Sequence, residues 1–320
     1  MGKETEYRKY LKPSALAKIS NLELKAKFVV EGFMAGLHKS PYHGFSIEFA
    51  EHRQYMPGDD IRFLDWKVFA RTDKYFIKQY EEETNLKAYI LLDISKSMDF
   101  SFRSMKKQSG LKKIFGKKSA DDTSVTKLEY ASYLGASLAY LMLLQRDAVS
   151  LATYDTEVRK FIPPRSSNVN LKYILKELSG VNPVGNTGTA ECLHRIAEKV
   201  TRRGVIIIIS DLLDNQEEVI KSLRHFRYDK NEVIVFHVLD PVEITFLDGN
   251  PVRLVDAETK EEIYSKPYDV KNEYAKTMER FIKNYKDACI SNNIDYVLLT
   301  TETPFDIALL KYLNKRSKNY

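Results

Sequence analysis

Val205-Ile-Ile-Ile-Ile-Ser-Asp211 and Ala88-Tyr-Ile-Leu-Leu-Asp-Ile-Ser-Lys-Ser97 are the two stretches that decide the fold. Each contains an unbroken apolar run that leads directly to an aspartate. A strand that is apolar at every position is buried on both faces, which is typical of parallel sheets covered by helices on each side. We therefore predict that both runs are central strands of one parallel sheet, with their aspartates at the same edge.

The sequence around these two runs alternates between apolar strands and amphipathic helices. Further strands are predicted at 148–154, 158–162, 233–239 and 296–300, and helices at 127–145, 169–179, 190–202, 215–227, 270–291 and 304–316. This alternation predicts the α/β class, with a doubly wound, mostly parallel sheet.

Composition divides the chain into three segments. Residues 1–28 are predicted to form a polar helical lead-in, and residues 29–85 a small α+β unit rich in charged and aromatic side chains. Residues 86–320 are predicted to form the larger α/β domain. Within that domain we expect a basic loop at 101–125 and an inserted β-hairpin at 243–264.

The overall composition is that of a globular protein, with 43% hydrophobic and 29% charged residues. The net charge of +6 is concentrated, because residues 103–122 contribute +5 of it and leave the rest nearly neutral. No run is apolar for long enough to cross a bilayer and the N-terminus lacks a signal sequence, so we expect a cytoplasmic protein. Cys192 and Cys289 are too few for a disulfide framework or a thiolate metal site. Trp66 is expected to be a core residue.

Oxygen-bearing side chains follow both central strands. Asp93, Ser95 and Ser97 alternate along an extended loop, so their side chains can point to one side. Asp211 follows the second strand, and the glycine-rich loop 185–189 can add a threonine hydroxyl. Carboxylates and hydroxyls are hard ligands that suit Mg²⁺ or Mn²⁺ better than zinc. We predict a metal site here, in which Asp93 is a ligand rather than a core residue and an acidic side chain of a partner protein completes the coordination.

The alternative reading of these residues is structural. Aspartate and serine after a strand are common helix N-caps, so the Asp93–Ser97 loop taken alone is weak support for a metal site. The metal site is favoured because the threonine loop and Asp211 also occur at the predicted strand and helix ends.

These motifs resemble the metal-ion-dependent adhesion site, or MIDAS, of von Willebrand factor A domains. The resemblance is carried by the Asp93–Ser97 loop, the loop Gly185-Asn-Thr-Gly-Thr189 and the strand that ends at Asp211. It assigns the ligand role in the threonine loop to Thr187, which lies six residues before Leu193. The resemblance thus implies a Mg²⁺ (or Mn²⁺) site, and Gly188 stands where relatives usually have Asp or Asn.

The segment 44–84, which leads into the first central strand, resembles the bacterial family catalogued as domain of unknown function 58. The likeness covers about residues 29–240, and these residues carry it: Glu48, Arg53, Tyr55, Pro57-Gly-Asp-Asp60, Asp65-Trp66 and Ala70-Arg71. The resemblance implies a von Willebrand factor A-like fold. It also implies an adaptor that works with a MoxR-type AAA+ ATPase in the assembly or activation of client proteins.

Two other functions remain open from the residues alone. A hydrolase or phosphotransferase would use Asp93 as its nucleophile, but Ser95 stands where such enzymes usually have a second carboxylate. The chain also contains no P-loop, G-x-S-x-G or H-E-x-x-H motif. Nucleic-acid binding would use the basic loop 103–118, in which Phe115 is the single aromatic residue. We therefore predict a binding protein with a protein partner, no nucleic-acid partner and no enzymatic activity.

Overall fold

The computed structural model describes residues 13–16, 21–37, 52–55, 66–78, 86–102, 125–183, 185, 187–200, 203–247, 252–255 and 261–317. The chain divides into two compact units. The larger comprises residues 1–39 and 86–320, and the smaller comprises residues 40–85.

The helices and strands are numbered in chain order. The helices are α1 (Pro13–Leu16), α2 (Leu22–Leu37), α3 (Trp66–Thr72), α4 (Lys127–Leu144), α5 (Asn168–Gly180), α6 (Thr189–Lys199), α7 (Gln216–Tyr228), α8 (Pro241–Thr245), α9 (Pro267–Ser291) and α10 (Asp306–Ser317). The strands are β1 (His52–Gln54), β2 (Phe76–Lys78), β3 (Lys87–Asp93), β4 (Ala148–Tyr154), β5 (Val158–Arg165), β6 (Val205–Ser210), β7 (Glu232–Leu239), β8 (Val252–Val255), β9 (Glu262–Ser265) and β10 (Asp295–Thr300).

The central sheet of the larger unit is doubly wound, as the sequence predicted. Within the described residues it has the strand order β10-β7-β6-β3-β4-β5. Every neighbouring pair is parallel except β4 and β5, which are antiparallel. The chain moves outward from β3 to β4 on one side and from β6 to β7 and β10 on the other. The strand order therefore reverses between β3 and β6, which is where open α/β sheets bind their ligands.

Helices cover both faces of this sheet, which explains why its central strands are apolar without interruption. On one face Gly135 of α4 lies against Ile90 and Ile209. On the other face α6, α7 and α9 bury a second set of side chains, among them Leu91 and Ile208. The apolar residues of β6 are fully buried, and burial of each such side chain is worth about 2–3 kcal/mol relative to exposure.

The predicted boundary at residue 28 is wrong in one respect. Helix α2 runs through it to Leu37 and belongs to the larger unit. It packs on α4, and the Lys25 ammonium lies 3.8 Å from the centre of the Tyr133 ring. Val29, Val30 and Phe33 are buried, so an apolar face holds the helix to the domain.

The inserted hairpin is shorter than predicted. Strands β8 and β9 pair in antiparallel fashion, from the Val252–Ser265 pair to the Val255–Glu262 pair. Residues 243–245, which were assigned to the hairpin, belong to α8 instead. The reason is local, because Asp240 and Glu243 make a capping box around a proline in the first helical turn.

The described part of the smaller unit consists of β1, α3 and β2. The two strands are antiparallel, and the Phe69 ring stacks on Tyr75 at 4.6 Å. Trp66 is 62% exposed, so its assignment to a core is wrong.

Two other expectations concern loops and membranes. Residues 103–124 of the predicted basic loop lie outside the described residues, as do Asp59, Asp60 and Asp65. Among the helices that the structure describes, none combines the length and apolarity needed to span a bilayer.

Candidate metal centre

Three loops meet at the carboxyl edge of β3 and β6, and backbone hydrogen bonds join them. The Ile94 N–H donates to the carbonyl of Tyr154, and the Lys96 N–H donates to the carbonyl of Gly185, at 2.8 and 3.3 Å. The Gly188 N–H donates to the carbonyl of Asp155 at 3.1 Å. The loop after β3 is thereby fixed to both the β4 end and the threonine loop.

Asp93 is the centre of this arrangement and is completely buried. Its Oδ1 accepts a hydrogen bond from the Ser95 N–H at 2.9 Å, and its Oδ2 accepts one from the Ser210 hydroxyl at 2.6 Å. The Thr189 hydroxyl makes a longer contact with Oδ2, at 3.4 Å. The expectation that Asp93 is not a core residue is therefore wrong, because it lies at the end of a strand buried on both faces.

Burial and, as a second cause, the neighbouring negative charge of Asp211 raise the pKa of the Asp93 carboxyl from 3.8 to about 6. The hydrogen bonds from Ser210 and Ser95 oppose this shift without cancelling it. Two carboxylates that repel each other in a buried position favour the binding of a cation, since a nearby positive charge offsets the effects of both burial and repulsion.

The two serines after Asp93 lie together as the sequence predicted. Ser95 is buried, and its hydroxyl oxygen is 3.0 Å from that of Ser97. A turn of 3-10 helix from Lys96 to Asp99 brings them side by side. Their roles as metal ligands remain predictions.

The threonine loop presents two hydroxyls of different burial. Thr187 is half-buried, whereas Thr189 is buried as the first residue of α6 and contacts Asp93. Sequence reasoning set Thr189 aside, although its place at the start of a helix beside the predicted site was a usable signal. The assignment of Thr187 as a ligand remains a prediction.

Gly188 lets the threonine loop approach β4. A Cβ atom at this position would lie 2.9 Å from the Cα of Thr156, which is closer than such atoms come in proteins. The close approach gives a physical reason for glycine at this position.

Replacing Gly188 with alanine is expected to push the threonine loop away from Asp93. We expect a loss of about 1–3 kcal/mol in the free energy of unfolding, the usual cost of overpacking, and weaker Mn²⁺ binding. Urea unfolding and Mn²⁺ titration measure the two effects. Gly180→Ala is the matched control, because nothing lies within 4 Å of its added Cβ. Equal behaviour of the two variants would show that the close approach is unimportant.

Asp211 is also completely buried, and its partners were missed by sequence reasoning. Its Oδ2 accepts a hydrogen bond from the Lys127 ammonium at 2.8 Å, and its Oδ1 accepts one from the Leu213 N–H at 3.3 Å. Lys127 is the first residue of α4 and also contacts Glu243. A lysine directly after the N-cap threonine of a Thr-x-x-Glu capping box points back towards the helix N-terminus, and that pattern was visible in the sequence.

His237 of β7 holds the backbone of Asp211. Its Nε2 is 2.8 Å from the Asp211 carbonyl oxygen, so Nε2 carries the proton and donates it. Its Nδ1 therefore accepts from the Tyr296 hydroxyl at 2.6 Å. Burial lowers the pKa of His237 to about 4, which keeps the ring neutral.

The donor set fits a hard divalent cation. No group of three or more His, Cys, Asp or Glu side chains able to hold a metal occurs in the described parts of the chain. A cation here would thus rest on two carboxylates supplemented by hydroxyls and water, a set that suits Mg²⁺. The Tyr154 hydroxyl, beside Asp93, is buried without a hydrogen-bond partner in the described residues, and a metal-bound water would satisfy it.

Comparison with protein families gives one match that covers more than two thirds of the chain. Residues 51–115 and 112–283 match the model of "Protein of unknown function DUF58". Relatives include uncharacterized proteins of Mycobacterium tuberculosis and Mycobacterium bovis. Each is 27% identical over 252 residues, which is 77% of this chain and 72% of the relative.

Solved structures similar to the chain include von Willebrand factor A-type domains. The conserved hypothetical protein BatB from Bacteroides thetaiotaomicron is 17% identical, with 73% of this chain and 99% of that chain covered and a TM-score of 0.44. The vWF domain of the type V pili tip protein Mfa5 from Porphyromonas gingivalis is 12% identical, with 71% and 94% covered and a TM-score of 0.32. The fold is von Willebrand factor A-like, as predicted, and the sheet topology carries that conclusion.

Proposed function

Since the chain belongs to the DUF58 family and has a von Willebrand factor A-like fold, we propose that it is a metal-dependent protein-binding adaptor. The fold itself is compatible with many functions, so the site must carry the proposal. The partner is a protein that presents an acidic side chain to the cation.

The observation that supports this proposal most strongly is the placement of Asp93 and Asp211. They lie at the ends of adjacent parallel strands, where the strand order reverses, and both are completely buried. Burying a carboxylate is costly unless a positive charge compensates it. Lys127 pairs with Asp211, whereas Asp93 accepts hydrogen bonds from Ser95 and Ser210. A cation bound beside Asp93 would supply the positive charge that these hydrogen bonds do not.

Mg²⁺ or Mn²⁺ is the cation that this donor set favours. Asp93, Ser95, Ser97, Thr187 and Asp211 would hold it, in part through water. The ion supplies a positive charge with a coordination position open to a carboxylate. A carboxylate–metal contact is far stronger than a surface salt bridge, which is worth about 0–1 kcal/mol.

We assign the chain a binding role rather than an enzymatic one. Enzymes with a nucleophilic aspartate usually carry a second carboxylate two residues later, and this chain has Ser95 at that position. A hydrolase or phosphotransferase that uses Asp93 is therefore less well supported. Nucleic-acid binding through residues 103–118 has no support in the described residues.

A MoxR-type AAA+ ATPase is the partner that the family resemblance implies, and we include it in the proposal. Such a partner would couple nucleotide hydrolysis to the assembly or activation of client proteins. The proposal predicts an AAA+ ATPase among the proteins captured in the presence of Mg²⁺ and lost on chelation.

Removing the cation is expected to abolish partner capture. The full chain is immobilised and exposed to an extract of its own source cells with Mg²⁺ or with EDTA, and the bound proteins are identified by mass spectrometry. Asp93→Asn should lose the same proteins in the presence of Mg²⁺. Asp99→Asn is the matched control, because it makes the same change at an exposed position of the same loop.

The result that contradicts the proposal is direct. A set of partners that is unchanged by EDTA and by Asp93→Asn would show that binding does not depend on a cation at this site.

A further inference from the structure

Lys127 places a permanent positive charge inside the candidate metal centre. Its side chain is completely buried, and its ammonium lies 2.8 Å from Asp211 Oδ2 and 2.6 Å from Glu243 Oε1. Both carboxylates accept a hydrogen bond from the ammonium, and two negative charges in direct contact favour its protonated form. The side chain is therefore charged.

The position of Lys127 is firmly fixed by its neighbours. Thr126 caps α4 through a capping box with Glu129, which sets the direction in which the first turn projects. The Lys127 N–H donates to the carbonyl of Phe100 at 3.2 Å, at the end of the loop that follows β3. The backbone from which the Lys127 side chain projects is thus held in place.

Glu243 belongs to a second helix, α8, and is fixed there as well. Its Oε2 accepts a hydrogen bond from the Asp240 N–H at 2.7 Å, and its carbonyl accepts one from the Tyr274 hydroxyl at 2.8 Å. Lys127 therefore bridges the carboxylate at the end of β6 and a carboxylate that is tied to α8 and α9.

The charges of this cluster determine how strongly it attracts an ion. Asp93, Asp211 and Glu243 contribute three negative charges when ionised, and Lys127 contributes one positive charge. A divalent cation would bring the sum to zero, but it would lie beside a like-charged ammonium that already occupies one oxygen of Asp211. Like charges at such range in a buried position repel strongly.

We propose that Lys127 is an internal cation that shares Asp211 with the divalent ion and thereby weakens the affinity of the site. This inference rests on the proposed metal-dependent function and adds its regulation. A weakly held ion is retained when the partner's carboxylate joins its coordination. Capture of the ion and capture of the partner then reinforce each other, as linkage requires.

The test compares Mn²⁺ binding to the full-length protein and to Lys127→Met/Glu243→Gln. This double variant removes one positive and one negative charge, so the net charge is unchanged. We expect Mn²⁺ to bind at least tenfold more tightly to the double variant, measured from the free-ion signal in electron paramagnetic resonance. Lys311→Met/Asp295→Asn is the matched control, since it removes another ion pair, 2.7 Å apart, at the amino end of β10.

The outcomes separate the inference from the proposed function. If the wild type binds Mn²⁺ and the double variant binds it equally or more weakly, the inference fails and the metal site stands. If only the double variant binds, Lys127 excludes the ion from the wild type instead of sharing Asp211 with it, so both the inference and the metal-dependent function fail. If neither binds, both fail.

A second variant decides the matter if the double variant does not fold. Glu243→Gln leaves Lys127 with Asp211 as its carboxylate partner, so we expect Mn²⁺ affinity to fall severalfold. An unchanged or higher affinity would overturn the inference. Thermal unfolding in EDTA shows for each variant whether it is folded.

Discussion

Replacing Asp93 with asparagine is expected to stabilise the metal-free protein at pH 8 by up to about 3 kcal/mol. The pKa of Asp93 is raised from 3.8 to about 6, first by burial and then by Asp211. A shift of about two units corresponds to about 3 kcal/mol between the protonated and ionised forms. Asparagine is uncharged and similar in shape, and the Ser210 hydroxyl can turn to accept its N–H.

The stabilisation is expected to depend on pH in a defined direction. A carboxyl whose pKa is raised by folding stabilises the fold below its unfolded pKa of 3.8, and this contribution is lost as pH rises through 6. The advantage of Asp93→Asn should therefore be small at pH 4 and should grow up to pH 8. Urea unfolding in EDTA at several pH values measures it.

Only the difference in stability between the wild type and Asp93→Asn is informative. The lowered pKa of His237 makes stability depend on pH in the opposite direction to the raised pKa of Asp93. Burial lowers the pKa of His237 to about 4, so the wild type loses stability as pH falls below about 6.5. That loss is common to both proteins and cancels in the comparison. Asp99→Asn, a change at a more exposed position of the same loop, should show a smaller trend in the same direction, because burial also raises the pKa of Asp99. If the wild type were more stable than Asp93→Asn at pH 8, the conclusion that the ionised Asp93 carboxylate destabilises the metal-free fold would be refuted.

Saturating Mg²⁺ should reverse the order of stability. The wild type gains about 4.1 kcal/mol at a free concentration one thousand times its Kd, whereas Asp93→Asn lacks a ligand and gains little. Such a reversal would show that the buried carboxylate is kept for the ion at the expense of the metal-free fold.

The fold was predictable because burial on both faces of a sheet leaves a clear mark on a sequence. Strand β6 is apolar at five consecutive positions and strand β4 begins and ends where its pattern predicts. The errors arose where a local signal competed with the pattern. Residues 241–245 lie before a hairpin but form a helix, because Asp240 and Glu243 cap it.

The candidate site was predictable only in part. The ends of the strands can be inferred from the sequence, but how deeply the side chains at those ends are buried cannot. Asp93 and Asp211 lie at the expected edge of the sheet, yet both are completely buried, whereas residues at the rim of a sheet are expected to be partly exposed. Lys127 contacts Asp211 across 84 positions of the chain, and no periodicity reports so distant a contact. Spatial partners of this kind required the structure.

Replacing Lys127 with methionine is expected to destabilise the metal-free protein by about 3–5 kcal/mol at pH 7. Methionine fills much of the same space, so the cost comes from leaving Asp211 and Glu243 buried without their positive partner. Lys311→Met is the matched control, because its pair with Asp295 is partly exposed and should cost at most about 1 kcal/mol. Urea unfolding in EDTA gives both values, and equal costs would contradict the role assigned to Lys127.

Removing the unpaired charges should restore most of the lost stability. In Lys127→Met/Asp211→Asn/Glu243→Gln the buried charges are gone, and replacing a whole buried ion pair is often nearly neutral. Mn²⁺ should also raise the stability of Lys127→Met more than that of the wild type, because the divalent ion then meets carboxylates with no competing ammonium. If the triple variant is as unstable as Lys127→Met, the lysine contributes through packing instead. The reason is that these two variants differ only in whether residues 211 and 243 carry a charge.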